Sequence, residues 1–92
     1  MTVQNGYVDA SDGGGGILSG PYGAPSLTLT SVTVQNNAVA EWRSGGGVSA
    51  IGSLTLDGCT VCDNSAGDYG NGGGVRSLGG SLAITDSLIC NN

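Results

Sequence analysis

Short runs in which aliphatic and hydroxyl residues alternate recur along this chain: Leu27-Thr28-Leu29-Thr30, Val32-Thr33-Val34, Leu54-Thr55-Leu56 and Leu82-Ala83-Ile84. A period of two sends one set of side chains to a buried face and the next to an open face, as a half-buried β-strand requires. No segment shows a helical period. Glycine runs separate the apolar stretches, and a glycine inside a helix costs about 1 kcal/mol relative to alanine. The pattern predicts an all-β chain with no α-helix.

The runs are copies of one another. Gly14-Gly15-Gly16-Ile17, Gly45-Gly46-Gly47-Val48 and Gly72-Gly73-Gly74-Val75 form one column, and Ser26-Leu27-Thr28-Leu29, Ser53-Leu54-Thr55-Leu56 and Ser81-Leu82-Ala83-Ile84 form a second. In a third, Val32 to Asn37 aligns with Cys59 to Asn64 and Ser87 to Asn92, and Met1 to Gly6 is a partial fourth copy. Val3, Val34, Val61 and Ile89 are separated by 31, 27 and 28 residues, yet Val3 to Gly14, Val34 to Gly45 and Val61 to Gly72 each span 11. Length varies almost wholly between the glycine run and the Ser-Leu element, so one loop changes while the rest keeps register, as in a solenoid.

Three short strands per repeat, joined by Gly, Asn and Asp corners, predict a right-handed parallel β-helix of about three coils. It forms one unit over residues 1–92, with a partial coil 1–12 and coils 13–44, 45–71 and 72–92. Leu27/Leu54/Leu82, Leu29/Leu56/Ile84 and Val34/Val61/Ile89 are the expected inward stacks. The glycine runs are expected to supply positive φ and to let successive corners approach without Cβ clashes. The Asn36/Asp63/Asn91 and Asn37/Asn64/Asn92 columns suit left-handed backbone and stacked amides.

Gly-Gly-small-aliphatic paired with aliphatic-x-x-Asn resembles the repeats of polymorphic outer-membrane proteins and related autotransporter adhesins of bacterial surfaces. Gly14 to Ile17, Gly45 to Val48 and Gly72 to Val75 match the first motif, with glycine where that family usually carries alanine. Val34 to Asn37, Val61 to Asn64 and Ile89 to Asn92 match the second, with Val or Ile in place of phenylalanine. The resemblance covers nearly the whole chain. It implies a right-handed parallel β-helix, an adhesive or structural role, and an extracellular or cell-surface location.

Composition adds 19 glycines, 10% charged residues and a net charge of −5 from seven carboxylates against Arg43 and Arg76. No basic stripe is available to neutralise phosphates, so nucleic acid is not expected as a partner. The first residues have neither a basic nor an apolar signal region, and no apolar run approaches the ~18 residues of a span, so no membrane insertion by this segment is expected. Without lysine, the glycine runs lack the Gly-Lys-Ser/Thr ending of a phosphate-binding loop.

The remaining candidates are few. Gly67-Asp68-Tyr69-Gly70-Asn71-Gly72 is similar to a calcium-binding nonapeptide but occurs once, where such binding needs consecutive copies. Cys59-Thr60-Val61-Cys62 has metal-ligand spacing, but with Cys90 and no histidine it cannot complete a zinc site. No cofactor is expected. Cys59 takes the inward Val32 position as a small hydrophobe, while Cys62 and Cys90 share the Gln35 column within the Cα range of a disulfide. Same-column cysteines often meet in poor geometry, which favours free thiols over a Cys62–Cys90 bridge. The columns Thr2/Thr33/Thr60, Thr28/Thr55 and Thr30/Thr85 invite comparison with ice-binding ladders, but Leu88, Ala83 and Asp57 interrupt them, and outward strand threonines explain them. Trp42 and Tyr69 fall at equivalent positions beside Glu41, Arg43 and Asp68, where they either contact a ligand such as a sugar or cap the edge of the stack.

Pectin-degrading enzymes resemble this architecture, but their chemistry needs clustered carboxylates, and Asp57, Asp63, Asp68 and Asp86 occupy four different columns. No enzymatic activity is expected. The expected partners are the remainder of a longer β-helix or further copies of this chain, with glycans or a host surface protein as possible ligands. Val3 at one end and Leu88 and Ile89 at the other are the candidate assembly edges, because neither carries the lysine, proline or bulge that normally blocks an exposed strand.

Overall fold

The computed structural model describes residues 1–8, 15–19, 26–40, 45–68, 70 and 72–92. Twelve short strands occur in it, and no helix is present among the described residues. In chain order they are β1 (Thr2–Gln4), β2 (Tyr7–Val8), β3 (Ile17–Ser19), β4 (Leu27–Thr30), β5 (Thr33–Gln35) and β6 (Ala38–Val39). There follow β7 (Val48–Ile51), β8 (Leu54–Asp57), β9 (Thr60–Cys62), β10 (Val75–Leu78), β11 (Leu82–Thr85) and β12 (Leu88–Cys90).

Every strand pairs in parallel with the equivalent strand of a neighbouring repeat. One sheet has the order β1-β5-β9-β12, and two three-stranded sheets have the orders β10-β7-β3 and β11-β8-β4. Register follows the sequence columns residue for residue. Leu27 and Leu82 flank Leu54, Leu29 and Ile84 flank Leu56, and Val34 and Ile89 flank Val61. Identical positions stack because a slip of one residue would turn the whole aliphatic set toward water.

A fourth pairing adds to the three strands expected per repeat. β2 pairs with β6, and Ala38 bridges Ser65 beyond them, so the ladder continues past the asparagine corner. The sequence offers little alternation there, and the pairing follows from the register of the preceding strand.

The core lies between the sheets and is built mainly from the central repeat. Val32, Val34, Val48, Ala50, Leu54, Leu56, Cys59 and Val61 form one buried cluster, with Val3, Ile17, Leu27, Leu29 and Val75 packed partly buried around it. Cys59 sits in this cluster as a free thiol and donates to the Leu29 carbonyl at 3.2 Å, which gives its weak donor a partner.

Candidate functional site

Among the described residues the most elaborate polar arrangement is the corner after β5, β9 and β12. Two adjacent residues there divide the work. Asn5, Asn36, Asp63 and Asn91 hold left-handed backbone, with φ of 63°, 56°, 57° and 50°, and turn the chain. Asn and Asp are the non-glycine residues that accept this region at least cost. The next residue, Asn37, Asn64 or Asn92, turns its amide inward.

Asn64 uses all of its hydrogen-bonding capacity. Its Oδ1 accepts from the Asn37 backbone N–H and from Asn37 Nδ2, both at 3.0 Å, while its Nδ2 donates to the Val34 carbonyl and to Asn92 Oδ1, also both at 3.0 Å. Asn37 repeats the pattern one rung away by donating to Val3 O at 3.1 Å, and Asn92 by donating to Val61 O at 2.8 Å. The amides therefore form a directional ladder in which each Oδ1 receives the donors of the rung before it. Asn37 and Asn64 are fully buried, a burial tolerable only because every polar atom is paired.

The glycine run belongs to the same device. Positive φ is confined to its first residue, Gly45 at 71° and Gly72 at 66°, so left-handed backbone is not the reason for the whole run. A Cβ at Gly47 would meet the Gly74 carbonyl oxygen at 2.6 Å and Asn64 Nδ2 at 2.9 Å, and one at Gly74 would meet Asn92 Nδ2 at 2.6 Å. The third glycine makes room for the asparagine of its own repeat. Both columns are visible in the sequence, but their contact is not, because a loop of changing length separates them.

Cys62 and Cys90 face each other in register and are joined by a disulfide with Cα atoms 4.6 Å apart. The free thiols favoured for this pair from the sequence are not found, because in-register pairing of β9 and β12 brings the two sulfurs together, and Cys59 is the free cysteine. The bridge ties β12, the outermost strand of its sheet, to β9. Ser87, which the sequence reading passed over, accepts from the Cys59 backbone N–H at 2.9 Å and donates to Thr85 O at 2.8 Å, a second tie between the same repeats.

The other candidates are less organised. Glu41, Trp42, Arg43 and Tyr69 lie outside the described residues, and Asp68 is exposed in a turn. Val3 is half-buried opposite Val34, whereas Leu88 and Ile89 are exposed on β12. Among the described residues no group of His, Cys, Asp or Glu is placed to hold a metal, and no helix is long and apolar enough to cross a membrane. Compared with protein-family models, with curated proteins and with solved structures, the chain shows no match.

Proposed function

We infer that residues 1–92 form a right-handed parallel β-helix that serves as a structural or adhesive segment of a bacterial cell-surface or secreted protein, without catalysis. The observation that carries this reading is the buried asparagine ladder with its facing glycines. It commits the recurring polar positions of each repeat to holding one coil on the next, which is a scaffold's use of polar residues. The right hand follows from the strong preference of parallel crossover connections. Asp63 and Asp86 have a backbone role, since both hold positive φ at corners, and this accounts for two of the scattered carboxylates. Cell-surface location and adhesion come from the resemblance of the repeat motifs, and a disulfide suits an oxidising compartment.

The test pairs two assays on the 92-residue chain. Incubation with polygalacturonate should release neither reducing ends nor unsaturated products, and their appearance would overturn the non-enzymatic reading. Trp42→Ala with Tyr69→Ala should abolish any signal on a glycan array with the far-UV spectrum unchanged; loss of folding would assign these residues to capping instead.

A further inference from the structure

One nucleophile in the core belongs neither to the amide ladder nor to the disulfide. Cys59 is buried as a free thiol, its Sγ donating to the carbonyl oxygens of Leu29 at 3.2 Å and Asp57 at 3.5 Å, while its backbone N–H donates to Ser87 Oγ. Three residues later Cys62 is bonded to Cys90. Cys59 and Val61 belong to the core cluster, whereas Cys62 stands outside it, on the face of the sheet that Gln35 occupies in the neighbouring rung. The backbone of β9 therefore runs between the thiol and the disulfide. A thiolate must reach a disulfide sulfur to attack it, and pairing of β9 with β5 on one side and β12 on the other holds this separation.

Once β9 opens, the constraint reverses. Cys59 lies three residues from Cys62 along the chain but 31 from Cys90, so the free thiol stays close to the Cys62 sulfur. The product of that attack does not fit the strand it came from. A strand advances ~3.3 Å per residue, which puts Cα atoms three residues apart about 10 Å from each other, and a disulfide spans at most ~7 Å. A Cys59–Cys62 bond and a reformed β9 exclude one another.

We propose that the three cysteines form a one-way switch that β9 holds off: when the strand opens, Cys59 displaces Cys90 from Cys62, and the rearranged chain cannot rebuild the rung. The Cys59 thiolate forms a bond to Cys62 Sγ, the Cys62–Cys90 bond breaks, and its electron pair leaves on the Cys90 sulfur, which takes up the proton that Cys59 gave up. One disulfide and one thiol enter, and one of each leave, so neither oxidant nor reductant is consumed. Loss of the β9 rung removes Val61 and Cys59 from the core and frees the 28-residue loop that the native bridge closes. The switch uses only β9, its register and the three cysteines, and so stands apart from the reading of the chain as a surface scaffold.

Trypsin makes the exchange readable, because it cuts after Arg43 and Arg76 and leaves residues 44–76 tied to residues 77–92 through the native bridge. The protein is held in urea near pH 8 without reductant, quenched with acid, alkylated and digested. With time the two peptides should come apart, 44–76 carrying an internal Cys59–Cys62 bridge and 77–92 an alkylated Cys90, and the fraction that regains its native circular dichroism on dilution should fall in step. Cys59→Val, which places the residue of the aligned Val32 position there, should keep the peptides tied and refold fully after the same hold. The parent held in urea near pH 4 should do likewise, since the thiol is then protonated, and this arm needs no substitution. In the folded parent near pH 8 the conversion should be roughly a hundredfold slower or more. Peptides that stay tied with the alkyl group on Cys59, full refolding of the Cys59–Cys62 form, or a folded protein that converts as fast as the unfolded one would each overturn the switch. A rate that rises from low to high micromolar protein means attack between molecules and overturns it equally.

Discussion

The central repeat, Gly45 to Asn64, and the outer repeat, Gly72 to Asn92, have nearly the same sequence pattern and opposite burial. Leu54, Leu56 and Val61 are fully buried, whereas their register partners Leu82, Ile84 and Ile89 are 48%, 44% and 40% exposed. The side chains point the same way in both repeats, and the difference is a layer on one side against layers on both. In a stacked fold a residue's contribution depends on its neighbours along the stack as much as on its own type. The outer repeat is held by devices that burial does not supply, the Cys62–Cys90 bridge and the Ser87 and Asn92 hydrogen bonds.

The largest test of this contrast is a buried charge. Val61→Asp should prevent folding, since an unpaired carboxylate between Val34 and Ile89 costs several kcal/mol in a domain whose whole stability is about 5–10 kcal/mol. Ile89→Asp should leave a folded protein in the same circular-dichroism melt. Leu54→Ala should cost about 2–5 kcal/mol in urea unfolding as a fully enclosed cavity, and Leu82→Ala roughly half as much or less, because water already reaches that site. An equal loss at the two leucines would break the comparison.

Asn64→Ala leaves the Asn37 N–H and the Val34 carbonyl without their buried partner, at roughly 1–3 kcal/mol each, whereas Asn92→Ala should cost under about half the total. The smallest effect should not distinguish the repeats at all. Asp63→Val and Asn91→Val each place a β-branched residue at positive φ, at roughly 1–2 kcal/mol, because that cost is local to the backbone. A much larger loss at Asp63 would show that its side chain, exposed in the structure, carries more than the turn.

The columns were legible because in-register parallel stacking puts the same position of each repeat in one line, so repetition in sequence becomes adjacency in space. Leu27/Leu54/Leu82 and Val34/Val61/Ile89 needed only alignment of the chain with itself. The asparagine pair was read as one feature, and the structure splits it into a turning residue and a buried ladder residue. Asparagine suits both tasks, so residue type could not separate Asn36 from Asn37.

What the sequence by itself determined is the repeat, its strand content, the register and the identity of the inward stacks, since a two-residue period admits one buried face and a constant 11-residue segment admits one alignment. Tertiary structure alone decided which copies of the repeat are enclosed, that the third glycine of each run makes room for an amide, and that the sulfurs of Cys62 and Cys90 meet. Each of these depends on distances of a few tenths of an ångström across the stack, or on the presence of a further layer, and neither quantity is encoded in the local order of residues.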